Sequence, residues 1–157
     1  MIVRPTAMPS IKNIALIAHD NRKIDMLDWA SWNREILARH NLYATGTTGT
    51  LLTRELGLNV TRFRSGPLGG DQQIGAAITE GMIDFVVFFW DPLEAMSHDV
   101  DVKALLRIAV VYNIPIACNR ASADFMMTSP LMSEEYVRLA PDFDDLMLAE
   151  VPIPGNV

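Results

Sequence analysis

The sequence predicts an α/β fold, a three-layer sandwich around a central, mainly parallel five-stranded sheet. Five short apolar runs rich in β-forming residues, at 14–18, 42–44, 60–63, 85–89 and 114–117, recur about 25 residues apart. Stretches with helical spacing fill the intervals, so each run feeds a crossover rather than a tight hairpin. The central runs are apolar throughout, as strands covered on both faces require.

In chain order, the run Ile14-Ala15-Leu16-Ile17-Ala18 leads into a helix expected over 20–38, with Trp29 and Trp32 three residues apart as core packing. Further helices are expected at 48–55, 72–80, 102–112 and 121–128, each preceding or following one of the remaining strands. Residues 1–10 and 151–157 contain Pro or Gly and are expected as loose arms or contacts to another subunit. No linker, repeat or low-complexity tract interrupts residues 1–157, which read as one domain. At 157 residues, folding buries roughly two-thirds of the surface of the unfolded chain, enough for one sizeable core.

Composition narrows the function classes. Half of the residues are hydrophobic, yet no apolar run approaches the roughly 20 residues of a membrane-spanning helix, and the first residues lack a signal-peptide core. A soluble, cytoplasmic protein is expected, with no membrane partner. The net charge of −6 and the lack of a Lys/Arg cluster argue against a nucleic-acid surface, so an anionic ligand has to be bound locally. The lone Cys118 forms no internal disulfide and has no zinc-site spacing; a small buried side chain is the expectation for it.

In sheets of this kind ligands sit beyond the carboxyl ends of the strands, where helix N-termini present their N–H groups. The residues just after each strand therefore form the candidate site. After the first come His19, Asp20 and Lys23. Asp20 is either a helix cap or a site residue. Lys23 opposes the helix macrodipole by roughly 0.3–1 kcal/mol, a sign that a bound anion would reverse. After the second strand, Thr45-Gly46-Thr47-Thr48-Gly49-Thr50 combines glycines with converging hydroxyls, as an anion cradle requires, without the Gly-Lys-Ser/Thr ending of a nucleotide P-loop.

The third strand is followed by Ser65-Gly66-Pro67-Leu68-Gly69-Gly70-Asp71, whose glycines and proline impose an unusual backbone path and deliver Asp71 to a helix start. A helix-cap role explains Asp71 but not the three glycines. After the fourth, Asp91 precedes Pro92, as in a capped helix with proline in its first turn. His98 then lies in a polar loop, and Asp99 or Asp101 is expected to cap the next helix. His40, near a helix end, fits a favourable C-terminal cation or a surface residue. Asn119 and Arg120 face the same rim as the site and are assigned no chemistry. A carboxylate base beside hydrogen-bond donors suits proton abstraction next to a carbonyl, and no Ser-His or Cys-His pair suggests itself by spacing.

Five motifs together carry a family resemblance: Ile14-Ala15-Leu16-Ile17-Ala18-His19-Asp20; Tyr43-Ala44-Thr45-Gly46-Thr47-Thr48-Gly49; Ser65-Gly66-Pro67-Leu68-Gly69-Gly70-Asp71-Gln72-Gln73; Phe88-Phe89-Trp90-Asp91-Pro92-Leu93; and the stretch from His98 to Arg107. In order and spacing, over about residues 11–130, they resemble the methylglyoxal synthases, a family with a Rossmann-like fold. The resemblance implies a carbon–oxygen lyase that turns dihydroxyacetone phosphate into methylglyoxal and inorganic phosphate without metal or organic cofactor. It implies Asp71 as the base, His98 as donor to the substrate oxygens and His19 in the same pocket. Lys23, Thr45, Gly46, Thr47, Thr48, Ser65 and Gly66 match substrate and phosphate contacts, and Asp91 and Asp101, with Asp20 sharing the role, match carboxylates near the reacting centre.

The resemblance further implies a homohexamer, inhibited cooperatively by phosphate, with Arg107 in communication between subunits. After Ser129 the match fades, and residues 146–157 contain no Lys or Arg to serve as a basic partner there. Three other readings are a regulatory effector-binding module, a phosphosugar isomerase and, last, a receiver-like signalling domain. The isomerase shares the proton abstraction but keeps the phosphate, because elimination needs the carbon–oxygen bond out of the enediolate plane.

Overall fold

The computed structural model describes residues 3–95 and 98–143. In chain order its strands are β1 (Val3–Met8), β2 (Asn13–Ala18), β3 (Asn41–Ala44), β4 (Val60–Arg62), β5 (Phe85–Phe89), β6 (Ile116–Ala117) and β7 (Tyr136–Pro141). The helices are α1 (Lys23–Trp32), α2 (Arg34–Leu37), α3 (Gly46–Leu56), α4 (Gly70–Thr79), α5 (Asp99–Val111) and α6 (Arg120–Met127). Strands β2 to β6 form one parallel sheet in the order β4-β3-β2-β5-β6. The chain runs outward from β2 to β4, then restarts on the other side of β2, which makes the β2–β5 boundary a topological switch point.

Alternation along the strands builds two cores. Ile14, Leu16, Phe85, Val87 and Phe89 pack on one face with Met26, Trp29 and Ala30 of α1, Leu52 of α3 and Met127 of α6. Ala15, Ile17, Val86 and Phe88 face the other way, onto Ile74 and Ile78 of α4 and Val102 and Leu105 of α5. The three layers follow from the period of two in the strands meeting the apolar stripes of the helices. No helix among the described residues is long and apolar enough to cross a membrane.

Several expectations need correction. The single helix over 20–38 is a short 3₁₀ turn at Asp20–Arg22 followed by α1 and α2, broken at Asn33. Only Trp29 is core, packed edge-on against Phe89 at 5.7 Å, while Trp32 is 80% exposed. The buried stripe runs Met26, Trp29, Ala30, and a residue three beyond Trp29 lies past its margin at the helix end.

Residues 1–10, expected as an arm, contain β1, which pairs antiparallel with β7 from Val3↔Pro141 to Met8↔Tyr136. Partners about 130 residues apart leave no local signature of this ribbon. The other expected arm, 151–157, lies outside the described residues.

The ribbon is tied to the amino ends of the sheet by buried ions. Lys12, 1% exposed, donates from Nζ to the carbonyls of Pro9 (2.5 Å) and Glu134 (2.6 Å). Asp84 accepts from the Asn13 N–H at 2.9 Å, and Arg138 of β7 donates to the Tyr112 carbonyl. Burial raises the Asp84 pKa, while the Asn13 N–H and then Arg138 and Lys12 oppose it.

At the opposite end, α4 starts hard against the exit of β4. A Cβ at Gly70 would stand 2.0 Å from the Arg64 carbonyl oxygen, a backbone atom that cannot swing aside. Gly70→Ala is therefore expected to lower stability by about 1–3 kcal/mol, read as a lower urea midpoint at unchanged slope. Gly75 in the same helix, where an added Cβ meets nothing within 4 Å, is the control: Gly75→Ala should stabilise by about 0.5–1 kcal/mol.

Candidate active site

A cavity of about 200 Å³ opens over the carboxyl ends of β2, β3 and β4, lined by His19, Asp20, Lys23, Thr45, Thr47, Ser65, Gly66, Pro67, Asp71 and His98, with Ile17 and Ala18 as floor. Residues from four separate chain segments thus meet at the end of the sheet where helix starts converge. Asp71 lies in the first turn of α4, but it caps nothing: both carboxylate oxygens are buried and have no hydrogen-bond partner among the described residues. The cap at Gly69, φ +96°, uses the left-handed region open to glycine, and the resulting turn aims Asp71 at the cavity rather than at its own helix.

Burial is the main cause that lifts the Asp71 pKa above the usual carboxylate range; nearby His98 opposes it and Asp101 adds to it. His98, at the N-cap position of α5, is buried, with Nε2 3.8 Å from Asp71 Oδ2 and Nδ1 without a partner. His19 sits edge-on to His98, ring centroids 5.6 Å apart, and its Nε2 is also unpartnered. Burial, helped by His98 and Lys23, lowers the His19 pKa. Four buried, unpaired polar atoms converging on one cavity are what a polar ligand site provides, because protein interiors otherwise satisfy such groups. A Cβ on Gly66 would stand 3.3 Å from both Asp71 Oδ2 and His98 Nε2, so this glycine keeps open the gap between them.

The cradle divides unevenly. Helix α3 begins two residues earlier than expected, at Gly46, which places Thr47 at the cavity and buries Thr48 behind it. Thr45 donates to the Thr48 hydroxyl (3.3 Å), and Thr48 in turn to the Ala18 carbonyl (3.5 Å), so the Thr48 side chain joins α3 to β2. The Gly46 N–H is committed to the Arg64 carbonyl at 3.1 Å. That leaves the first-turn amides of Thr47 and Thr48, which have no carbonyl four residues earlier in the helix, as the groups able to meet an anion. Lys23 lines the cavity while donating to Asp20 Oδ1 (2.6 Å) and the Ala18 carbonyl (3.1 Å). Hydrogen-bonded Lys23 holds the Asp20 carboxyl below its usual range, and Asp20 positions the ammonium rather than capping a helix.

Asp91 and Asp101 stand beside the cavity without lining it. No helix follows Asp91 directly; its carboxylate instead accepts from the Leu93 N–H and Asn21 and lies near Arg22. Asp101 accepts from Gln72 Nε2 at 3.0 Å, and neither Asp99 nor Asp101 is the cap of α5. His40 is corrected as well: Nδ1 accepts the Lys12 N–H at 3.0 Å and burial lowers its pKa, so it serves as a neutral acceptor, not a cation. Arg107 is exposed on α5, Asn119 caps α6, and Arg120 pairs with Asp28. Asn21 and Gln72 were assigned no role from the sequence; they bond to Asp91 and Asp101, the acids beside the cavity, across 70 and 29 residues, separations that local pattern does not record. Among the described residues no group of His, Cys, Asp and Glu is arranged to hold a metal ion.

Comparison with known proteins identifies the family to which this fold belongs. A family model described as an MGS-like domain matches residues 25–118. The chain is 59% identical to a methylglyoxal synthase of Leptospira interrogans over 137 residues, covering 87% of this chain and 93% of that protein. It is 60% identical over 141 residues to one of Saccharophagus degradans, covering 90% and 92%. The crystal structure of methylglyoxal synthase from Elizabethkingia anophelis superposes with a TM-score of 0.88 at 49% identity, covering 95% of this chain and 98% of that one. With more than half of its length under the family model and such identities over most of the chain, this protein belongs to the methylglyoxal synthase family.

Proposed function

We propose that the cavity over β2–β4 converts dihydroxyacetone phosphate into methylglyoxal and inorganic phosphate, with Asp71 as the base. The observation that carries the assignment of the base is the Asp71 carboxylate itself, buried, unpartnered and beside His98 in a cavity ringed by hydroxyls and helix starts. Asp71 takes a proton from the hydroxymethyl carbon, and the electron pair left behind forms an enediolate whose oxygens face the histidines. The terminal oxygen then re-forms a carbonyl as its proton passes to the departing phosphate, the double bond shifts to the phosphate-bearing carbon, and the carbon–oxygen bond to phosphate breaks. The enolate left behind takes at its methylene carbon the equivalent of the proton that Asp71 removed, which gives methylglyoxal and restores the base. A general base contributes roughly 10²–10⁴-fold, so donors to the developing oxyanion supply much of the rest.

Phosphate release demands that the scissile bond stand perpendicular to the enediolate plane. Thr47, Ser65, Gly66, Lys23 and the first-turn amides of α3 form the cradle that holds the phosphate there, and the same groups receive inorganic phosphate as product. The finer family properties belong to this proposal too: a cytoplasmic homohexamer in which phosphate inhibits cooperatively and Arg107 communicates between subunits. Exposed Ile24, Trp32 and Phe125 on α1 and α6 are in keeping with subunit contacts.

Purified protein given dihydroxyacetone phosphate is expected to yield methylglyoxal and free phosphate in equal amounts; glyceraldehyde 3-phosphate instead would make it an isomerase, and no product would leave a binding module. Asp71→Asn should lower kcat by roughly 10²–10⁴-fold while still binding phosphate. The same change should raise Tm at pH 7, by about 2–4 °C for each kcal/mol relieved. The sign follows from linkage: a carboxyl whose folded pKa is raised subtracts from stability once pH exceeds its unfolded value, and that penalty is absent in acid.

Asp71 acts only when ionised, so activity is lost as pH falls through its raised pKa. Asp101→Asn removes a negative charge that raises it, and the acid limb of the kcat/KM profile should move to lower pH. Gly66→Ala places a methyl group between base and histidine and should reduce kcat by about tenfold or more, with a thermal midpoint close to that of the parent.

A further inference from the structure

His19 is held at three points. Its main-chain N–H donates to the Phe89 carbonyl at 3.1 Å, tying the end of β2 to the end of β5. Its ring lies edge-on to Phe88 with centroids 5.2 Å apart. Its Nδ1 accepts the main-chain N–H of Asp91 at 3.2 Å, inside the protein. A ring nitrogen that accepts carries no proton, and a neutral imidazole has only one, so the proton resides on Nε2. That atom is buried and has no acceptor among the described residues. A proton on Nδ1 would set two N–H groups against each other at the one contact that orients the ring.

The Asp91 carboxylate has its own partners. Oδ1 accepts the Leu93 N–H at 3.1 Å and has Arg22 Nη2 at 3.9 Å; Oδ2 accepts Asn21 Nδ2 at 3.3 Å. These donors, the Leu93 amide foremost, hold its pKa below the usual carboxylate range. A weakly basic carboxylate turned onto its own chain is poorly placed to move protons in a cavity it does not line. What it does hold is the turn from Asp91 to Leu93, and the amide at the start of that turn is the one aimed at His19.

We propose that Asp91 is a positioning residue: its carboxylate clamps the Asp91–Leu93 turn so that the Asp91 amide fixes His19 as the neutral Nε2–H tautomer, a donor to the enediolate oxygen. His19 thereby stabilises negative charge without giving up its proton, and Asp91 acts through it rather than on the substrate. The inference rests on the lyase reading of the cavity.

Long-range ¹H–¹⁵N correlation spectra of the ring-labelled protein test it, because the chain has only three histidines and His40→Gln and His98→Gln complete the assignment. At pH 7 His19 is expected to show an unprotonated Nδ1 and a protonated Nε2. Asp91→Ala, which releases the turn, should give a mixture of tautomers and a kcat lower by roughly 10²–10³-fold, with KM changed far less. Asp91→Asn keeps an acceptor for the Leu93 N–H and should restore the single tautomer and most of the lost kcat. If the alanine variant does not fold, the asparagine variant carries the test.

A protonated Nδ1 in the parent protein overturns the proposal, as does an asparagine variant with the parent tautomer and activity as low as that of Asp71→Asn, which would make the carboxylate a proton carrier. The spectra are recorded without substrate, so absence of methylglyoxal formation would sink the lyase reading while leaving the tautomer measured.

Discussion

An ionisable carboxylate buried without a partner is the constraint around which the upper end of this molecule is arranged. Asp71 would ordinarily find N–H groups in its own first turn, where the helix dipole favours negative charge. It does not, because α4 is pressed against the chain leaving β4. The Gly70 N–H meets the Ser65 carbonyl at 3.0 Å, and Gln73 Oε1 accepts the Arg64 N–H at 2.8 Å. Only a residue without Cβ lets the two backbones approach so closely, and the residue next to it is the acid. Burial then outweighs the attraction of nearby His98 and lifts the Asp71 pKa, as it does for carboxyls set into clefts.

The ions at the opposite end of the sheet make the contrast plain. Lys12 is buried as deeply as Asp71, but two carbonyls hold its ammonium, and Asp84 accepts a backbone N–H. Those groups join the β1–β7 ribbon to the sheet and have their hydrogen bonds provided. Asp71, His98 and His19 present buried atoms with none. Equal burial thus separates into structural and chemical roles according to whether the fold supplies partners.

Local charge, not net charge, suits the cavity to an anion. The protein carries −6 overall, yet Lys23 stands in the first turn of α1, oriented by Asp20, across from the start of α3. Neither feature is expensive alone: the unfavourable position of Lys23 costs a few tenths of a kcal/mol to about 1 kcal/mol. Their convergence puts a cation beside the free first-turn amides of a helix, a local match for an anion that a diffuse basic surface would not give in so acidic a chain.

Much of this was written along the chain. Alternation and apolar runs located the five parallel strands, β5 to the residue at 85–89, since a strand covered on both faces has to be apolar throughout. The rule that ligands gather at strand ends picked out nearly every cavity residue, and the family resemblance added roles. The β1–β7 ribbon escaped because its pairing joins distant segments. So did the fate of the acids. Asp20, Asp71, Asp91 and Asp99 all stand where a helix cap is expected, and local pattern treats them alike. Packing sent Asp20 to Lys23 and Asp91 into its own turn, and left Asp71 facing a cavity. Periodicity records which faces are buried, a property each segment carries with it; whether a buried side chain finds a partner depends on groups brought from elsewhere in the chain, and that is settled only when the layers close.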